Sequence, residues 1–216
     1  MIRQNVANVF ENSYGQAPVT VFSPGRLNII GEHTDYNDGF VFPAAIDKGI
    51  YAAFGPSDSK FCNVTALDMN QSYEFRLDNI VPLTKGGWRN YILGVVKGIL
   101  DAGKELAPFN LVFGGDIPEG AGLSSSAALE NAVVFGLNEL FNLGLSKEEM
   151  IFISQKAEHS YVGVKCGIMD QFASMFGQKD TALLLDCRSI SAKSFNIDLQ
   201  EYQNPKLLPV VSNHFN

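Results

Sequence analysis

The stretch Gly114-Gly115-Asp116-Ile117-Pro118-Glu119-Gly120-Ala121-Gly122-Leu123-Ser124-Ser125-Ser126-Ala127-Ala128 decides how the chain is read. A short run of strand-forming residues, 110–113, ends in glycines, and the chain then passes through three serines into an apolar segment of helical period. Unpaired backbone N–H groups and the positive end of the helix converge at such a junction, which suits a phosphate. Gly120 and Gly122 let the backbone approach an anion closely, and the hydroxyls of Ser124, Ser125 and Ser126 can bond phosphate oxygens or a magnesium ion. The plainer alternative is a loop with serine N-caps, and the position between strand and helix favours the anion site over it. Other nucleotide signatures are missing: there is no GxxxxGK[ST] loop, no GxGxxG, and neither HRD nor DFG.

Outward from this junction the first half is strand-rich. Residues 19–23, 39–43, 50–55, 63–67, 72–77 and 110–113 are short, β-branched or aromatic, and punctuated by Gly, Pro, Asp and Asn, which predicts one mixed or antiparallel sheet. Helices follow. Apolar residues at helical spacing predict helices over 88–100 and 124–141, each packing one face on the sheet. Ser146 with Glu149 forms a capping box opening a third helix to about residue 161, where Gly163 stands to stop it. A short helix over 168–176 and a buried strand over 182–186 come next, and then weak alternation broken by Pro205 and Pro209. The fold class is therefore α+β, with a mixed sheet packed by helices. A domain boundary near Arg188 divides residues 1–188 from 189–216, the opening of a second domain.

Composition narrows the partners. The 216 residues carry 46% hydrophobic and 18% charged side chains, ordinary for a folded chain. Sixteen Lys and Arg against 23 Asp and Glu give a net charge of −7, which disfavours nucleic acid and anionic lipid as partners. No secretory signal and no apolar run of membrane-spanning length occur, so a cytosolic location is expected. Cys62, Cys166 and Cys187 are odd in number and widely spaced, which points to reduced thiols rather than a disulfide framework or a thiolate zinc site.

Two further stretches carry chemistry. Between Ser23 and Gly39 the chain crowds Arg26, Glu32, His33 and Asp35 into a segment bounded by glycines. Many hydrogen-bonding groups without apolar alternation suit a polyhydroxylated ligand such as a sugar, while a solvated turn with an Arg–Glu pair is the blander alternative. Later, Asp170 falls in the first turn of the 168–176 helix, where the dipole favours its ionised form. Glu158 lies near the end of the preceding helix, where that argument would not place a carboxylate, and a metal ion or basic partner would explain it.

Taken together, these motifs resemble the GHMP family of small-molecule kinases and, within it, the galactokinases. Residues 25–36 look like the galactokinase signature and residues 118–127 like the GHMP phosphate loop. Ala157-Glu158-His159 followed by Cys166-Gly167-Ile168-Met169-Asp170-Gln171 is similar to the catalytic stretch. The resemblance implies the ribosomal protein S5 domain 2-like fold of the GHMP N-terminal domain, and ATP-dependent phosphorylation of the anomeric hydroxyl of α-D-galactose. By the same resemblance, Glu32, His33, Thr34, Asp35 and Asp170 would bind the sugar. Asp170 would take the proton, and Arg26 would orient it and stabilise developing charge. Gly120, Ala121, Gly122, Leu123, Ser124, Ser125 and Ser126 would hold ATP, with Trp88 and Tyr91 beside the adenine or equally in the core. Ser126 and Glu158 would ligate Mg2+.

Members of the family are longer. The chain is thus expected to be an N-terminal portion whose missing C-terminal domain would complete the site, and to be weakly active or inactive alone. A non-enzymatic galactose and ATP sensor is an alternative, against which Ser125, Ser126 and Ala127 stand intact. A kinase for N-acetylgalactosamine or arabinose is another, and the match at residues 32–36 favours galactose over it.

Overall fold

A computed structural model describes residues 2–118 and 120–197. Its centre is β3 (Pro43–Pro56), whose side chains alternate between two cores. Ile50, Ala52 and Phe54 face one, and Tyr51 and Ala53 face the other. A strand buried on both faces shows no polar alternation, which is why residues 50–54 read as a continuous apolar run. Around it forms a five-stranded mixed sheet in the order β1-β3-β6-β4-β5, built from β1 (Val19–Asn28), β4 (Cys62–Ala66), β5 (Gln71–Phe75) and β6 (Phe109–Gly115). β4 and β6 run parallel, and every other pair is antiparallel.

The larger core lies between this sheet and four helices: α2 (Trp88–Asp101), α3 (Ser125–Phe141), α4 (Lys147–Ala157) and α5 (Met169–Phe176). Both halves of the capping box at Ser146 and Glu149 form. The expected continuation to residue 161 is a π turn, Glu158–Val162, rather than α-helix, and Gly163 closes it at φ +83°.

On the opposite face lies a helix that the sequence reading did not anticipate. This is α1 (Ile2–Tyr14), whose Val6 and Phe10 pack on Ala53 of β3 and Val112 of β6. Asn5, Asn8, Glu11 and Asn12 occupy its other positions and dilute the apolar period. The expectation of one sheet is also corrected. β2 (Phe40–Val41), β7 (Thr181–Asp186) and β8 (Ser191–Asn196) form a separate antiparallel sheet, with β7 central. Residues 39–43 split between β2 and β3, so a two-residue strand pairs with one far along the chain. Pro205 and Pro209 lie outside the described residues. Among the described residues, no helix is long and apolar enough to cross a membrane.

The seating of α3 on the sheet needs Gly136, because a Cβ there would meet the ring of Phe54 at 2.2 Å, and Phe54 is fully buried. Gly136→Ala gains about 1 kcal/mol of helix propensity, but overpacking a rigid ring costs about 1–3 kcal/mol. The variant is therefore expected to unfold at lower urea with an unchanged slope. A midpoint at or above that of the parent would show that the ring can move aside.

Candidate active site

The site begins at a bulge. β1 pairs regularly with β3 up to Pro24, slips, and resumes at Arg26. Gly25 alone stands opposite three residues of β3, Ile46, Asp47 and Lys48, so the extra length is on β3, and a Cβ on Gly25 would lie 2.6 Å from the carbonyl oxygen of Leu123. The missing side chain lets the glycine-rich loop lie against β1, where the Arg26 N–H donates to that same carbonyl at 3.1 Å. The Arg26 side chain donates from Nη1 to the Gly122 carbonyl at 2.7 Å and from Nε to Asp170 Oδ1 at 2.8 Å. The pair is mostly shielded, with the arginine side chain 13% and the aspartate 25% exposed. Ser124 Oγ donates to the other oxygen of Asp170, Oδ2, at 2.5 Å. Strand β1, the loop before α3 and the first turn of α5 thus meet at one carboxylate.

Ser124 occupies the N-cap position of α3 without making the side-chain bond that a serine there suggests. Its backbone is left-handed, φ +57°, and no side-chain cap bond is made. A non-glycine residue pays roughly 1–2 kcal/mol for that conformation, here offset by the bond to Asp170. The first N–H groups of α3 are therefore left without a side-chain cap and face the loop, as an anion site requires. Beside them opens a cavity of about 350 Å³. Its apolar walls include Ile50, Trp88, Phe113 and Leu129, and Ser125 and Ser126 stand at its polar end. Trp88 and Tyr91 both line it. Trp88 also belongs to the core, stacked edge-on to Phe113 at 5.4 Å and donating to Gln71 Oε1 at 3.0 Å. For Trp88 the two alternatives, core residue and cavity wall, hold together.

On the other side of Asp170 lies the loop over residues 29–39. Asp35 opens a short 3₁₀ turn and packs where Gly167 has no Cβ, since one there would meet Asp35 Oδ2 at 2.2 Å. Burial holds the Asp35 carboxyl above the usual range, opposed by the Tyr36 N–H and reinforced by the charge of Asp170. Glu32 and His33 lie exposed on the rim. Glu32 accepts from Asn28 Nδ2 at 3.0 Å, and His33 Nδ1 lies 2.6 Å from the Tyr36 hydroxyl. The Thr34 hydroxyl lies 2.7 and 2.8 Å from the carbonyls of Gly31 and Phe40, so it serves the loop's own shape.

Glu158 is buried at the start of the π turn, and behind it the structure reveals Glu130, fully buried on α3. Burial pushes the Glu130 carboxyl well above the usual carboxylate range; the charge of Glu158 adds to this, and a bond from Gln171 opposes it. Neither glutamate has an ion-pair partner among the described residues. The sequence signal for Glu130 was a charged residue inside an apolar helical run. With Ser126 and Glu158, the donors on offer are a hydroxyl and a carboxylate, hard oxygen ligands that suit magnesium. No group of three or more His, Cys, Asp or Glu is placed to cage a metal among the described residues. That fits a cation held mainly by phosphates and water, as magnesium usually is.

Residues 8–56 match the galactokinase galactose-binding signature, and residues 90–178 match the GHMP kinases N terminal domain. A galactokinase of Chloroflexus aggregans is 47% identical over 189 residues, covering 87% of this chain and 48% of that protein. One of Clostridium tetani is 43% identical over 195 residues, 89% of this chain and 50% of its own length. The chain spans about half the length of the curated relatives it matches. The crystal structure of Lactococcus lactis galactokinase complexed with galactose superposes with a TM-score of 0.86 at 36% identity, over 92% of this chain and 53% of that one. Methanococcus jannaschii mevalonate kinase, at 19% identity and a TM-score of 0.70, covers 84% of this chain and 56% of its own and shares the fold.

Glu130 gives the site a pH signature. Its carboxyl binds a proton more tightly folded than unfolded, so its contribution to stability is full below about pH 4.5 and is lost as pH rises through the folded value. In magnesium-free buffer, Glu130→Gln is expected to raise the urea midpoint at neutral pH and to match the parent below pH 4.5. A pH-independent difference would remove the buried charge as its cause.

Proposed function

The chain belongs to the galactokinase branch of the GHMP kinases, matching its N-terminal part, and from that premise we propose that it moves the γ-phosphoryl group of ATP to the anomeric hydroxyl of α-D-galactose in the cytosol. One observation carries the reading. A carboxylate, Asp170, is held from both sides, by Arg26 and by Ser124, between a polar sugar-type loop and a helix N-terminus built for phosphate.

Each part has a task. Asp35, half-buried against Gly167, offers acceptors to ring hydroxyls and sets the sugar's face. Glu32 and His33 add rim contacts to the same ligand. Asp170 takes the proton of the anomeric hydroxyl as its oxygen bonds to the γ-phosphorus, and the bond to the β-phosphate oxygen breaks to leave ADP. Arg26 keeps the carboxylate aimed and supplies positive charge where negative charge builds. The uncapped N–H groups of α3 and the hydroxyls of Ser125 and Ser126 receive the phosphates. Residues 120–123 shape the loop, and the cavity walls at Trp88 and Tyr91 receive the base. Ser126 and Glu158 are the residues that would hold magnesium. Bound there with the nucleotide, magnesium supplies charge neutralisation on the phosphate oxygens.

The test is a coupled assay of this chain with ATP, magnesium and galactose, alongside calorimetry with galactose, N-acetylgalactosamine and arabinose. Galactose is expected to bind most tightly, and equal affinity for all three would sink the assignment. In a full-length galactokinase background, Asp170→Asn is expected to lower kcat by about 10²–10⁴-fold with galactose affinity nearly kept, because shape remains while the base is gone. Turnover near wild type would remove Asp170 as the base. Asp35→Ala should chiefly weaken galactose binding, by about tenfold or more, and an unchanged affinity would count against its role.

A further inference from the structure

Asp170 has two visible holds, Arg26 and Ser124, and both come from segments that a nucleotide or sugar would press upon. A third hold comes from behind. The next residue, Gln171, is fully buried and is gripped at two points by consecutive residues of α3. Its side-chain Nε2 donates to Glu130 Oε2 at 3.3 Å, and its main-chain carbonyl accepts from Asn131 Nδ2 at 2.9 Å. Glu130 and Asn131 are themselves fully buried. We propose that Glu130 and Asn131 are positioning residues, which fix the first turn of α5 through Gln171 and thereby aim the Asp170 carboxylate.

Physical reasoning favours this role over a plain contribution to stability. Glu130 Oε1, Asn131 Oδ1 and Gln171 Oε1 are buried without a protein partner, so the cluster is an expensive way to fill a helix interface. An apolar set of similar volume would pack α3 against α5 at lower cost. What it would lack is direction. Hydrogen bonds to both the amide and the carbonyl of one residue fix the rotation of the α5 turn as well as its distance. Asp170 is next in the chain, so a small rotation of that turn would swing its carboxylate away from Arg26. The geometry would suffer when the loops move to take their ligands, which is when the carboxylate must hold still.

The proposal rests on the kinase reading for its catalytic consequence, and its test separates the two. Hydrogen exchange at the amides of residues 171 and 172, compared with those of residues 52–54 in β3, is measured for the parent, Glu130→Gln, Glu130→Leu and Asn131→Leu; galactose affinity, kcat and KM are taken on the same variants in a full-length galactokinase background. The leucine variants are expected to exchange about tenfold faster in the α5 turn with β3 unchanged. Their kcat should fall by about tenfold while both KM values stay within about twofold. Glu130→Gln keeps the acceptor oxygen and should follow the parent in galactose affinity, kcat, KM and the exchange of the α5 turn relative to β3.

Unchanged α5 exchange in the leucine variants would overturn the proposal, as would a loss in Glu130→Gln equal to that in Glu130→Leu. Should the leucine variants fail to fold, Gln171→Glu removes the amide donor with its shape kept. It is expected to show the same selective loosening, and exchange like the parent's would overturn the grip. A full-length background carrying these residues that neither binds galactose nor turns over refutes the galactokinase reading, and the exchange measurement then decides the grip by itself.

Discussion

One guanidinium ties the site together. Arg26 donates at once to Asp170 and to the Gly122 carbonyl, and its own backbone N–H holds Leu123. Charge-assisted bonds of this kind are strong, and taking both groups out of water means that losing either partner would strand the other. The geometry that makes it possible is negative: a strand bulge and a residue without a side chain at Gly25, which let the glycine-rich loop come within hydrogen-bond distance of β1. Leu123, on that loop, also packs with Ala44, Ile46 and Ala182, so an apolar cluster links the second sheet to the site.

The carboxylates around this point sit in different surroundings. Asp170 has a cation and a hydroxyl. Asp35 has partial burial and a like charge nearby. Glu130 has full burial and Glu158 for a neighbour, which push it furthest. Acidic groups concentrated in a chain of net charge −7 would repel an anionic nucleotide if all were bare, and the helix N-terminus, Arg26 and the withdrawal of Glu130 from solvent oppose that. The thiols nearby stay un-ionised: burial raises Cys187 to about 11 and holds Cys166, whose sulfur accepts from Gln171 Nε2 at 3.9 Å, far from its ionised form.

Much of this was legible in the sequence wherever the information is local. The short β-branched and aromatic runs between turn residues gave the strands of the large sheet. The pair Ser146 and Glu149 gave the start of α4, and the glycine-serine run between strand and helix gave the loop that enters α3. What escaped was set by distant partners. β2 is only two residues long and exists because β7, far along the chain, pairs with it. The apolar face of α1 is diluted by asparagines and becomes clear only against Ala53 and Val112. Ser124 reads as a cap by residue type, yet a carboxylate from α5 claims its hydroxyl. Gln171 carries no local mark of burial, and Glu130 only the mark of a charge within an apolar helical run, since the groups that surround them come from other helices. The roles of Arg26 and Asp170 were assigned by resemblance, and their contact is what the structure adds.

The double burial of β3 has a consequence for how such a chain can diversify. A slip of one residue would send Phe54 to the α1 side, where Ala53 fits against Val6 and Phe10, and would leave an alanine-sized plug under α3. The strand therefore acts as a ruler with one allowed setting. It fixes Arg26, paired with Ala45, relative to Gly115, paired with Ile50, where the phosphate loop departs. Novelty can then accumulate in the rim loops over residues 29–39 and 116–124, which alter what is recognised, while the spacing between the two halves of the site is inherited unchanged.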